Sequence, residues 1–201
     1  MPKKDNSTLR SKISLRIMLL EEIESPIIME THGGTGALFN SCYRGVEHGI
    51  VFEKDSKKVI DLAKQRPTWP VYEADCVVGI SNGIGDHLAI NFFDIDPHGS
   101  PWDAVVAIFD HWKYLPSKFA MAITDGQRQK SKFKDSWRSK QLQPSVALYG
   151  NDQIYYNYKE VCAKYFSETV ATRGFTITKW TSYYCGHTKD ITHFGAILER
   201  D

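Results

Sequence analysis

Apolar residues alternate between two spacings along the chain, and the alternation is regular enough to predict an element order. Leu9, Ile13, Ile17 and Leu20 recur at helical spacing within 9–24, and Pro26 ends that helix. Ile27-Ile28-Met29 is a short buried run that predicts a first strand, followed by a helix over 35–47. Gly49 to Phe52 predicts a second strand closed by Glu53, 55–66 an amphipathic helix stopped by Pro67, and Val71-Tyr72 a third strand. A polar loop holding Asn82, Gly83 and Gly85 leads to the most apolar strand, Leu88 to Ile95. A helix over 101–114 opens at Pro101, and Phe119 to Thr124 is a fifth strand. A long helix over 151–172 precedes two strands, Phe175 to Tyr184 and His193 to Glu199, joined by a polar turn. Strands alternating with helices predict an α/β fold: a mainly parallel sheet with helices on both faces and a C-terminal antiparallel hairpin at one edge.

Composition adds bounds. The 201 residues, 42% hydrophobic, suffice for one well-filled core, so a basic N-terminal segment and helix (1–24) and a single domain (25–201) are expected. No apolar run is long enough for a membrane span, and the stretch Ile13 to Met29 is interrupted by Arg16, Glu21, Glu22 and Glu24, unlike a signal peptide. Cys42, Cys76, Cys162 and Cys185 form no C-x-x-C pair; reduced thiols in a cytoplasmic protein are expected. The first dozen residues, polar and basic, are expected to fray.

The net charge of +1 conceals segregation. Residues 17–112 carry −9 and residues 113–140 carry +6. The basic loop at 126–140 holds Arg128, Lys130, Lys132, Lys134, Arg138 and Lys140, with Phe133 and Trp137 between them. Cations interleaved with aromatics suit a phosphate backbone with exposed bases, although a solvated loop accounts for the charge alone equally well.

The chemistry concentrates at predicted strand ends. Glu30-Thr31-His32-Gly33-Gly34-Thr35-Gly36 lies between a strand and a helix, where glycine allows a sharp turn and close approach to a ligand. Glu53 ends the next strand and can accept from both ribose hydroxyls; Asp75 ends the third and can accept from an adenine amino group. A nicotinamide G-x-G-x-x-G/A pattern read from Gly34 fails at Phe39. At the fourth strand, Asp94-Ile95-Asp96-Pro97-His98-Gly99-Ser100-Pro101 sets a carboxylate beside a rigid turn. A carboxylate and a backbone carbonyl accepting the two N–H bonds of an exocyclic base amine localise its lone pair and stabilise the charge developing on nitrogen. Asp96-Pro97 supplies that pair, and His98 either stacks on the base or fills the turn. Asp94 reads more simply as a cap on the turn that opens the next helix.

The glycine segment, with Glu30, His32, Gly34 and Gly36 in register, resembles the acid-x-G-x-G-x-G motif of class I S-adenosylmethionine-dependent methyltransferases, with His32 in place of the first glycine. Residues 94–101 resemble the D-x-D-P-[FY]-G-[ST]-P motif of the tRNA guanine-N2 dimethyltransferases, with His98 at the aromatic position, and more loosely the [DNS]-P-P-[YFW] motif of amino-methylating enzymes. The resemblance spans about residues 25–125. It implies the Rossmann-like, seven-stranded methyltransferase fold and S-adenosyl-L-methionine as donor. It also implies Asp96 as the catalytic carboxylate, with Pro97 and His98 beside it, and a purine amine as acceptor. The expected activity is methyl transfer to an exocyclic base amine, RNA favoured over DNA. A protein or small-molecule methyltransferase and a non-catalytic binding module are the rivals. No metal site and no membrane partner are expected.

Overall fold

A computed structural model describes residues 8–111, 114–132 and 139–200. Seven strands form one sheet: β1 (Ile27–Glu30), β2 (His48–Glu53), β3 (Val71–Glu73), β4 (Phe92–Ile95), β5 (Lys118–Asp125), β6 (Thr176–Cys185) and β7 (Ile191–Glu199). Their spatial order is β3-β2-β1-β4-β5-β7-β6. The first five are mutually parallel, and β7 runs antiparallel to both neighbours. The expected α/β class, parallel sheet and closing hairpin are all present. Strand order reverses between β1 and β4, where ligands of open α/β sheets bind beyond the strand ends.

Successive strand residues face opposite ways, so the sheet serves two cores. On β4 and β5, Phe93, Ile95, Phe119, Met121 and Ile123 point to one face, packed with α4 (Trp102–His111) and α7 (Tyr158–Thr172). Phe92, Ala120 and Ala122 point to the other, packed with α1 (Leu9–Leu20) and α2 (Ser56–Gln65). Small residues on that second face decide where α1 lies. A Cβ on Gly195 of β7 would stand 2.6 Å from Leu15 Cδ1 and 3.2 Å from Leu19 Cδ1, so α1 sits directly on the strand. The frayed start expected for the first dozen residues is corrected over the described part: Leu9 to Lys12 are helical, and Thr8 and Lys12 are buried.

Several expected boundaries move. The helix expected over 35–47 is reduced to a wide helical turn, Phe39–Tyr43, with Ala37 and Leu38 leading into it. The loop after β3 contains α3 (Cys76–Ser81), because the Asp75 carboxylate caps it by accepting from Val77 N and Val78 N. Strand β4 starts later than Leu88, since the Asn91 side chain takes the Ile27 N–H at 2.8 Å. The helix expected over 151–172 is split at Asn157 into α6 (Asn151–Tyr156) and α7, preceded by α5 (Gln143–Tyr149). The four cysteines are free thiols. Among the described residues no helix is long and apolar enough to cross a membrane, and no His/Cys/Asp/Glu group could hold a metal ion.

Candidate active site

The glycine turn is fastened to the tip of β2 by backbone donors. Gly33 N donates to Phe52 O at 2.9 Å, and Gly34 N donates to Glu53 Oε2 at 2.8 Å. Glu53 Oε1 also accepts from Lys54 N and Asp55 N, at 2.9 and 3.0 Å. Gly34 and Gly36 have φ of +56° and +77°, the left-handed conformation that glycine adopts without a steric penalty. The tip of β1 is joined to that of β4: Thr31 N and Thr31 Oγ1 both donate to Asp94 O, at 2.9 and 3.1 Å.

At the end of β4, Asp94 in the strand and Asp96 just past it have separate partners on α1, one helical turn apart. Arg16 and Asp94 form a buried pair, with Arg16 Nε donating to Asp94 Oδ2 at 2.9 Å and Tyr43 OH donating to the same oxygen at 2.6 Å. Lys12 Nζ donates to both oxygens of Asp96, at 2.6 and 2.7 Å. Burial alone would raise the Asp96 pKa, but Arg16 and Lys12 outweigh it and hold the carboxyl below its ordinary range. His193 of β7 is fully buried nearby, and its Nδ1 lies 3.2 Å from Thr124 Oγ1 of β5. Burial, reinforced by the charges of Arg16 and Lys12, lowers His193 to about 3. Its Nε2 has no hydrogen-bond partner among the described residues. His32 is likewise pulled below its ordinary value by burial, against the opposing fields of Asp96 and Glu53. Its Nδ1 is 2.8 Å from Thr31 Oγ1.

These elements enclose a cleft of about 320 Å³, lined by Leu9, Lys12, His32, Gly33, Gly34, Thr35, Ala37, Leu38, Glu53, Lys58, Asp96, Pro97 and His98. That is at the small end of the range for small-molecule sites, about 300–1,000 Å³. Of the residues singled out from sequence, His32, Gly34, Glu53, Asp96, Pro97 and His98 thus meet in one place, His98 exposed at the rim. Glu53 accepts three hydrogen bonds, and a carboxylate has about four acceptor positions, so one remains for a hydroxyl in the cleft.

Other expected residues stand elsewhere. Glu30 is buried and ion-paired with the equally buried Arg66, whose guanidinium lies 4.3 Å from the Phe39 ring centroid; its carboxylate joins β1 to the end of α2 and does not line the cleft. Gly36 shapes the turn without lining the cleft. Asp75 sits two residues past β3, caps α3, pairs with Lys54, and lines a separate hollow against α4. Asp94 is not the helix cap that its position suggested but the acid of the buried pair. Arg128 is buried between the rings of Tyr155 and Tyr184, each 4.0 Å away, and donates to Lys189 O and Tyr155 O. It braces the base of the loop instead of facing a phosphate. Lys130, Lys132 and Lys140 are exposed, with Lys132 Nζ 3.9 Å from the Tyr155 ring. Lys134 and Arg138 lie outside the described residues.

Sequence reasoning missed Lys12, Arg16 and His193. The available signal for the first two was their i,i+4 spacing, which puts two cations on one face of an otherwise apolar helix. His193 gave no signal, because its neighbours come from α1, β5, β6 and the segment after β4.

No protein-family model matches the sequence, and no curated protein matches it. Solved structures do match in shape. Trm1 from Pyrococcus horikoshii, in complex with S-adenosyl-L-methionine, superposes with a TM-score of 0.66 at 11% identity over 100% of this chain. This chain spans 58% of the length of that Trm1 chain. TYW2 from M. jannaschii, in complex with AdoMet, gives 0.59 at 8% identity, covering 99% of this chain and 78% of that one. The plantazolicin methyltransferase BamL, in complex with a desmethylPZN analogue and SAH, gives 0.56 at 8% identity, covering 97% and 85%. With its strand order, its closing hairpin and these neighbours, the chain has the Rossmann-like fold of the class I S-adenosylmethionine-dependent methyltransferases.

Proposed function

We propose that the chain transfers a methyl group from S-adenosyl-L-methionine to an exocyclic amine of a nucleic-acid base, RNA before DNA. One observation carries the reading: the glycine turn 33–35 and the Asp96-Pro97-His98 tip line the same cleft from opposite sides of the strand-order reversal. The shared fold supports the cofactor, as does the free acceptor position on Glu53 beside Gly34.

When bound, the cofactor supplies a methyl group on a sulfonium, an electrophile. Gly34 and Glu53 would hold its nucleoside end. Asp96 and the Pro97 carbonyl accept the two N–H bonds of the incoming amine and aim its lone pair at the methyl carbon. The cofactor would supply its methyl group to that nitrogen, and the proton released from the amine would pass through the Asp96 carboxylate to water. His98, exposed at the rim, offers a face for the base, which must leave its stack to reach Asp96. Lys130, Lys132 and Lys140 supply cations for the backbone, and Tyr156, 70% exposed beside Lys132, supplies a ring for a neighbouring base. Asp75 and Glu30 have no part in this reading.

Labelled cofactor incubated with separate pools of tRNA, rRNA and DNA, followed by nucleoside mass analysis, tests it. A methylated amino nucleoside is expected from one pool. Asp96→Ala is expected to keep cofactor affinity in calorimetry and to lose about 10²–10³-fold in transfer rate. Methylation of protein or small molecules alone, or full activity of Asp96→Ala, would overturn the reading.

A further inference from the structure

The acceptor carboxylate is already engaged. Lys12 Nζ sits on both Asp96 oxygens, and Lys12 and Leu9 form the cleft wall. In this arrangement the cluster Lys12, Arg16, Asp94 and Asp96 sums to zero charge, with His193 neutral beside it. A neutral site is poor at stabilising an amine that turns cationic as it gains a methyl group, and an ammonium in contact with Asp96 opposes that charge directly. A neutral amine is also a weak competitor for the carboxylate, because charge-assisted hydrogen bonds are about twice as strong as neutral ones.

The rest of α1 is fixed. Leu15 and Leu19 lie on Gly195, and Arg16 is held by Asp94 in a pair that is fully buried. The Lys12 side chain keeps 10% of its surface and Asp96 16%, so of the two α1 pairs this is the one that opens on the cleft. Lys12 also has a flexible four-carbon stem, whereas the guanidinium fork of Arg16 is buried and held by Asp94.

We propose, resting on the reading above, that Lys12 is a specificity-determining residue that selects an amine carried on a polyanion. Lys12 leaves Asp96 only when a phosphate of the acceptor receives its ammonium. That exchange frees the Asp96 lone pairs that Lys12 held, leaving Thr124 as the remaining donor, and gives the site the net −1 that the cationic product nitrogen requires. An acceptor without phosphates has nothing to offer Lys12 and meets a neutralised Asp96.

The test compares wild type, Lys12→Met, Lys12→Arg and, as a control on exposed α7 surface, Lys164→Met. In Lys12→Met the slope of log K against log salt for the RNA pool that accepts methyl groups is expected to shrink by about 0.7–0.9, one phosphate contact, with Lys164→Met unchanged. With guanosine or adenosine as acceptor, Lys12→Met is expected to lower KM about tenfold, while Lys12→Arg, whose fork can hold both Asp96 oxygens, keeps it high. A salt slope unchanged in Lys12→Met, or a nucleoside KM that does not fall, overturns the proposal. If Lys12→Met fails to fold, Lys12→Gln takes its place in both measurements. RNA methylation by the wild type with either of those results rejects the role of Lys12 alone. A wild type that binds no S-adenosylmethionine in calorimetry rejects the function itself, and this proposal with it.

Discussion

The two sides of the cleft are built differently. On the glycine-turn side, the bonds run over short sequence distances: Gly34 to Glu53 spans 19 residues, and Glu53 to Lys54 and Asp55 one and two. The donors there are backbone N–H groups, positioned by chain geometry. On the Asp96 side, the ion pairs join residues 84 and 78 positions apart, and the cations are side chains on a helix that precedes the first strand. A local site depends on backbone conformation and on the one side chain, Glu53, that its backbone donors meet. A site assembled from distant charges depends on its fully buried partners, because an unpaired buried ion is costly.

The largest expected effect follows from that difference. Arg16→Met strands Asp94 in the core and should cost about 3–5 kcal/mol in denaturant unfolding. Lys12→Met, whose pair opens on the cleft, should cost less than half as much; equal losses would erase the distinction between an anchored and an exchangeable pair. Next, Glu53→Gln removes the charge that accepts at the cofactor end and sets an amide NH2 against one of the backbone N–H donors. A loss of about 1.5–3 kcal/mol in cofactor binding is expected by calorimetry, with the rate at saturating cofactor unchanged. A fall in that saturated rate would move Glu53 into the chemistry of the other side.

His193 sharpens the comparison through pH. Its pKa falls from 6.5 to about 3 on folding, so between those values the unfolded chain binds the extra proton. Stability therefore decreases as pH drops through that window, by about 1.4 kcal/mol per unit for one proton. Asp125, buried and raised from 3.8 to about 6, has the opposite sign between those two values. The difference between wild type and His193→Gln isolates the histidine: the variant's unfolding free energy should lose the acid-side slope, and parallel curves would show that His193 titrates normally. The smallest effect is expected at Gly34. An added Cβ there meets nothing within 4 Å, so Gly34→Ala carries only the left-handed backbone penalty of about 1 kcal/mol. A larger loss in cofactor affinity than in stability would show that the turn, and not just Glu53, contacts the cofactor.

Legibility followed the same division. The helix expected over 55–66 is found at Ser56–Gln65, because an Asp55 cap and Pro67 mark its ends. The strand expected at Val71-Tyr72 extends by one residue. The motif at 94–97 predicted where a carboxylate would stand, yet it said nothing of Lys12, whose partner is 84 residues away. The capping role of Asp75 was not legible, because an acid after a strand can equally cap the next helix, and the short run Cys76–Ser81 has too few turns to show a period. Arg128 looked like its basic neighbours, and only the packing of Tyr155 and Tyr184 around it separates a brace from an exposed cation.

The order of strands and helices, the glycine turn and the acidic tip after β4 were written in the sequence, since periodicity, capping and turn chemistry act between near neighbours. Which charges face one another was decided by the folded sheet. Small side chains at Ala120, Ala122 and Gly195 let α1 lie flat across β5 and β7, and that placement carries Lys12 and Arg16 to the β4 tip. Contact at that range depends on how closely two surfaces can approach, a property of the packed molecule that no local pattern records.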